Sequence, residues 1–230
     1  MTAPLKLYEL AGADPEVRFS PHCWKTRMAL AHKGLDPAAV PWRFTEKEAI
    51  AFSGQGLVPV LVDGDQTVAD SWRIAEYLEA RYPERPSLFD GAAGHSLCRF
   101  VNSFADSLSP LLARILVLDI HARLHPDDLD YFRSSREKRF GMPLEQVAAD
   151  PDAARTALRA ALAPLRVTLQ AQPFLAGDAP AYADYAAFGL FMWARIVSPV
   201  DLLAPDDSLQ DWRERLLDLF DGLARRAPTG

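Results

Sequence analysis

The chain has 230 residues, 49% of them apolar and 24% charged, with a net charge of −6. This length can bury a sizeable core in one large or two smaller domains, and the composition is ordinary for a soluble globular protein. The acidic balance speaks against a nucleic-acid partner, which needs a concentrated basic face. Lys6 and Glu9 fall where a secretory signal needs its apolar run, and the longest wholly apolar stretch, 186–194, is far short of the roughly 18 residues of a membrane span. Two cysteines, Cys23 and Cys98, stand in no metal or disulfide spacing, so a cytoplasmic protein with reduced thiols and no membrane contact is expected.

Taken in chain order, Leu5–Leu10 alternates apolar and polar residues and predicts a strand. Ser20 is a good N-cap and Pro21 suits a first helical position; Trp24, Met28 and Ala31 continue the helix and Gly34 ends it. Residues 39–44 read as a short strand that Pro41 confines to a sheet edge. Residues 45–57 read as loop with a turn or two of helix. Val58–Val62 is a buried-type strand, Asp63-Gly64 a hairpin signal, and Thr67–Ala69 the return strand. Asp70-Ser71 then caps a helix that carries Ile74, Tyr77 and Leu78 on one face and stops near Tyr82-Pro83.

This predicts a mixed α/β unit over 1–83, a turn-rich linker over 84–94 and an all-helical unit over 95–230. In the helical part, His95–His125 places Phe100, Phe104, Leu108, Leu111 and Ile115 at spacings of three and four, with Pro110 expected to kink or divide it. Residues 127–140 and 151–172 are further helical stretches, the second broken near Pro164. Tyr182–Ile196 is apolar all round and should be a buried central helix, and Leu209–Arg226 an amphipathic closing one.

Three short pieces carry chemistry. A hydroxyl at Ser20, where the first helix offers free N–H groups and partial positive charge, can stabilise a thiolate; the plainer role is an ordinary N-cap. Val58-Pro59 opens a strand that should be central, as either a cis peptide that turns main-chain groups into a cleft or a plain trans proline. Asp70-Ser71 can grip a carboxylate and an ammonium group, or simply cap its helix. Cys23 reads as a packing residue.

Other constellations are weaker. His121 and His125 are four apart, but Pro126 ends their helix and no H-E-x-x-H pattern is present, so no metal site is expected. His22 beside Ser20 lacks the elbow and third member of a hydrolase. The basic run Arg133–Arg139 is expected to be a solvated helix face.

From Ser20 onward the sequence resembles the glutathione transferase superfamily over nearly its whole length. The resemblance rests on F-S-P-H-C-W-K-T-R, V-P-V-L, D-S-W-R-I-A-E-Y-L and F-L-A-G-D-A-P-A-Y-A-D-Y-A-A-F-G, in that order. S-P-x-x-W and D-S-W are most similar to the bacterial lignin β-aryl-etherase branch and related fungal-type enzymes. The resemblance implies a thioredoxin-like domain with a mixed four-stranded sheet, then a helical domain, with glutathione as co-substrate.

It further implies that Ser20 faces the glutathione sulfur, that Val58 pairs with the cysteinyl backbone beside a cis Pro59, and that Asp70 and Ser71 grip the γ-glutamyl end. Gln55 is a candidate for the glycyl carboxylate, and Phe104, Leu108 and Leu111 for an apolar, electrophilic acceptor. A homodimer is implied as well. Ser instead of Cys at position 20 argues against disulfide exchange there, and Ala181 stands where the family carries a capping Ser or Thr ahead of Asp184. A glutathione-binding or regulatory protein without turnover is the alternative function.

Overall fold

The computed structural model describes residues 5–229. Strand β1 (Lys6–Leu10) leads through a loop to helix α1 (Pro21–His32), then to β2 (Ala38–Trp42), a 3₁₀ segment (Lys47–Ser53), β3 (Val60–Asp63), β4 (Gln66–Ala69) and α2 (Ser71–Arg81). The sheet order is β2-β1-β3-β4, with β1 parallel to β2 and antiparallel to β3, and β3 antiparallel to β4. Lys6 lies opposite both Ala38 and Val62. This is the thioredoxin-like arrangement, and Pro41 does sit on an edge strand, where its missing N–H costs no ladder bond.

Helices fill the rest: α3 (Gly91–Ala122), α4 (Pro126–Phe140), α5 (Leu144–Val147), α6 (Pro151–Ala161), α7 (Ala163–Ala171), α8 (Tyr182–Val197) and α9 (Leu209–Gly222). Helix α8 is the buried centre, packed on both α1 and α3, so it joins the sheet half to the helical half. Among the described residues no helix is long and apolar enough to cross a membrane.

Several boundaries differ from the sequence-based expectation, each for a local reason. Strand β2 stops at Trp42, because Arg43 N–H turns to the Glu46 carboxylate at 2.9 Å and Trp42 Nε1 donates to the Glu46 carbonyl at 2.7 Å. Strand β3 begins two residues after Val58, since Pro59 has no N–H to give the ladder. Helix α3 begins at Gly91 rather than His95: the G-A-A-G stretch is its first turn, and a Cβ on Gly94 would stand 1.7 Å from the Phe89 carbonyl oxygen. Pro110 does not divide α3. Leu162 and Pro164 do separate α6 from α7. The regular part of α9 ends before Leu219, because Phe220 and Asp221 take positive φ of 54° and 56° and tuck the Phe220 ring against His32 and Tyr185.

One glycine governs how closely α8 backs the start of α1. A Cβ on Gly189 would lie 2.5 Å from the Pro21 carbonyl oxygen and 3.2 Å from Lys25 Cγ. Gly189→Ala is therefore expected to lower stability by about 1–3 kcal/mol through overpacking, and to displace the first turn of α1. Thermal unfolding reads the first effect. A variant as stable as the parent would show that the helices part without cost.

Candidate active site between the two halves

The start of α1 is fixed from both sides. Ala11 pairs with Arg18, Phe19 N–H donates to the Leu10 carbonyl at 3.3 Å, and Trp24 Nε1 donates to the Arg18 carbonyl at 2.8 Å. These bonds deliver Ser20 in extended geometry at the N-cap, with Pro21 in the first turn. Ser20 Oγ accepts the Cys23 N–H at 3.4 Å. Its hydroxyl hydrogen has no acceptor among the described residues, and although only 5% exposed it lines a cavity of about 380 Å³ between the halves.

Val58 lines the same cavity, and the Val58-Pro59 peptide is cis. Neither main-chain polar group of Val58 has a backbone partner among the described residues. The Pro59 carbonyl accepts the Asp70 N–H at 3.2 Å, which ties this turn to the start of α2. Asp70 itself is held at φ 82°, ψ 132°, an unusual place for a non-glycine residue. Its Oδ1 accepts from Trp72 N–H at 3.0 Å and Arg73 N–H at 3.1 Å, leaving Oδ2 without a donor among the described residues. Backbone held in such a region by its surroundings is a feature of binding sites.

Asp70 and Ser71 line a second, more polar hollow of about 490 Å³, together with Arg99 and Ser103 of α3. Tyr182 of α8 fixes Ser71 from behind, its hydroxyl donating to the Ser71 carbonyl at 3.0 Å. The two hollows share His22 and Asp106, so they run into one another at the α1–α3 junction.

A buried cation holds that junction. Lys25, 0% exposed, donates to Asp106 Oδ1 at 2.7 Å and Asn102 Oδ1 at 2.9 Å, and Asn102 Nδ2 donates to Asp106 Oδ2 at 3.1 Å. Burial pushes the Lys25 ammonium down from its ordinary value, with Asp106 pulling it back. Cys23 is fully buried, and its thiol is pushed up to about 12 by burial, with the carboxyl of Glu9 acting in the same direction. An un-ionised, inaccessible thiol is a packing residue.

Ser20 and Val58 line one hollow and Asp70 and Ser71 the other, while Pro59 lines neither and ties the Val58 turn to Asp70 through its carbonyl. Gln55 is half-buried in the loop after the 3₁₀ segment and lines neither hollow; its carbonyl accepts from Ser53 Oγ at 3.3 Å. The α3 residues Phe104, Leu108 and Leu111 do not line the cleft either. Leu108 is in the core, and Phe104 and Leu111 pack against it.

The cleft is walled instead by Asp106, Ser109, Ala113, Val117 and Ile120, which follow the same helical spacing on a different face of α3. Phe104, Leu108 and Leu111, which the family resemblance assigns to the acceptor, pack in and against the core instead. The signal that marks the cleft face is its small and mixed character, Ser109 and Ala113 beside an acid. Phe44 and Phe132, with Arg136 of α4, complete the wall and were not foreseen as site residues.

A hydroxyl donor at a helix start, free main-chain groups beside a proline and a polar hollow with a free carboxylate oxygen can together hold a thiol-bearing peptide. An apolar chamber lies alongside. Residues 19–81 match the family model described as glutathione S-transferase, N-terminal domain, and residues 98–218 the model of the C-terminal domain. The chain belongs to the glutathione S-transferase family.

Solved structures agree in fold. Glutathione transferase GSTFuA3 from Phanerochaete chrysosporium is 28% identical with a TM-score of 0.77, over 96% of this chain and 93% of that one. CsGST63524 of Ceriporiopsis subvermispora, in complex with glutathione, is 25% identical with a TM-score of 0.79, over 95% and 97%. A zeta-class glutathione S-transferase of Euphorbia esula is 32% identical over 46% of this chain and 49% of its own length. The chain spans about half the length, or less, of the curated relatives it matches.

Proposed function

We propose that this protein is a glutathione transferase in which the Ser20 hydroxyl stabilises the glutathione thiolate and the cleft directs it at an electrophilic carbon of an apolar acceptor. The observation that carries this reading is the Ser20 hydroxyl itself, buried at the N-terminus of α1 on the lining of the cleft, with no acceptor for its hydrogen among the described residues. A thiol is mostly protonated at neutral pH, and a charge-assisted hydrogen bond with the partial positive charge of a helix start favours the anion.

The chain's other residues then have separable duties. The Val58 main-chain groups suit the peptide's cysteinyl unit. The free Asp70 oxygen suits an ammonium group, and the Ser71 hydroxyl with the α2 N-terminus suits a carboxylate. Holding both reactants in register supplies the proximity part of the rate.

Conjugation and thiolytic cleavage of an aryl ether use the same step: the thiol gives its proton to solvent, sulfur bonds to carbon, and the leaving group departs with the electron pair, a halide remaining an anion and an aryloxide later taking a proton. The S-P-x-x-W opening supports the ether version. The co-substrate bound by the structure from Ceriporiopsis supports the choice of thiol. A homodimer fits the exposed apolar residues Leu97 and Phe100 on α3.

The test is titration of the purified protein with glutathione, followed by turnover on benzyl halides, nitroaryl halides and β-aryl ethers, with the sedimenting species recorded. Saturable binding and conjugate formation by a dimer are expected. Binding without turnover on every class would replace this reading with that of a regulatory glutathione-binding protein.

A further inference from the structure

The basic run on α4 divides in the fold. Arg133 is neutralised by Glu137 at 3.0 Å and by Glu145 at 2.9 Å. Arg136, one turn on, faces the cleft. Its guanidinium carbon lies 4.7 Å from the Phe132 ring centroid and 5.1 Å from that of Phe44, and its one protein acceptor among the described residues is Ser135 Oγ at 3.0 Å. Arg139 lines the same cleft. Among the described residues neither Arg136 nor Arg139 has a carboxylate within ion-pair distance.

A charge leaving water is normally met by an opposite one, and half-buried Arg136 has none among the described residues. The aromatic faces attract the cation but use none of its N–H groups. Burial pushes the Arg136 guanidinium down from its ordinary value, Tyr131 opposes this and Arg139 adds to it, so an anion at Arg136 would offset the cost of its burial. Asp106 does not meet that need: it is the acid lining the cleft, and Lys25 and Asn102 already hold it.

We propose that the acceptor subsite selects aromatic compounds bearing a carboxylate, the ring lying against the apolar wall and the carboxylate received by Arg136 with Arg139. This rests on the glutathione-transferase reading of the cleft and specifies its second substrate. The planar fork of Arg136 is suited to two parallel bonds to a carboxylate, and the two rings hold the fork in place before the ligand arrives. A neutral aryl electrophile would leave those donors to water or unpaired.

The test needs no turnover. Calorimetry compares glutathione, S-(4-carboxybenzyl)glutathione and the neutral isostere S-(4-carbamoylbenzyl)glutathione. The carboxylate conjugate is expected to bind at least about tenfold tighter than the carboxamide, equivalent to about 1.4 kcal/mol. Arg136→Met should abolish that preference with the carboxamide affinity changed by less than about threefold, while Arg133→Met should keep it. Should Arg136→Met not fold, Arg139→Met and the loss of the wild-type preference in high salt read the same electrostatic contribution. Equal affinity of the two conjugates for the wild-type protein, with glutathione bound, would overturn this inference alone. No binding of glutathione itself would overturn the transferase reading beneath it.

Discussion

Replacing Ser20 by alanine is expected to cut kcat/KM for conjugation at pH 7 by about 10- to 100-fold, with glutathione affinity changed little. Two effects oppose each other. A thiol held near pKa 6.5 is about three-quarters thiolate at pH 7, whereas one at the ordinary value of about 8.5 is about 3% thiolate, a ratio of about 25. A less acidic thiol gives the stronger nucleophile, which returns up to about eightfold. The remaining loss comes from the hydrogen bond that aims the sulfur, since misplacement of reacting atoms costs as much as about 100-fold.

The pH profile separates these contributions. Above about pH 9 the thiol ionises without help, so the ratio of parent to variant should narrow by about the 25-fold population factor. Steady-state rates from pH 6 to about 9.5, corrected for the uncatalysed reaction, measure it. A ratio constant across that range would mean that Ser20 acts only as the N-cap of α1, whose loss costs about 1 kcal/mol of stability and no specific step.

The second large effect is on stability, at Asp184. This carboxylate, 0% exposed, accepts four donors: Leu175 N–H at 2.7 Å, Trp212 Nε1 at 2.9 Å, Ala181 N–H at 3.2 Å and Ala176 N–H at 3.3 Å. It joins the turn before α8, the start of α8 and α9, and so supplies the half of the capping box that survives with alanine at 181. Asp184→Ala would strand all four donors in the core, each costing about 1–3 kcal/mol, so about 4 kcal/mol or more in total. For a protein of this size that lowers the melting temperature by about 8–16 °C or prevents accumulation of folded protein. Asp184→Asn keeps one acceptor oxygen, sufficient for two donors, and should fall between. A melting temperature within about 2 °C of the parent for Asp184→Ala would show that water replaces the carboxylate.

Much of this architecture is legible in the residues because local signals agree with the fold they serve. Pro41 marks an edge, Ser20-Pro21 and Asp70-Ser71 mark helix starts, and the all-round apolar 182–196 segment marks the central helix. What failed was the choice between faces of α3. Periodicity identifies an apolar stripe but not its neighbour: Leu108, Leu112 and Ile115 are buried in the core, and the Asp106–Ile120 face is left to the cleft. Gln55 has only the family resemblance to assign it to the site, and its loop is closed by bonds from Lys47 and Ser53 to its own carbonyls. Arg136 was invisible for a related reason: within R-S-S-R-E-K-R nothing separates the arginine that pairs with Glu145 from the one that lies against Phe44 and Phe132. Glu145 and Phe44 come from outside this helix, and only packing brings them to it.

Whether the sulfur is held as an anion beside Ser20 is measured, without any acceptor, by ultraviolet titration of the thiolate in the bound complex. For the parent protein saturated with glutathione, absorbance should rise with a midpoint about two units below the ordinary thiol value of about 8.5, and Ser20→Ala should restore it. A bound thiol that titrates at its ordinary value in the parent, or a lowered midpoint that survives in Ser20→Ala, would contradict the account.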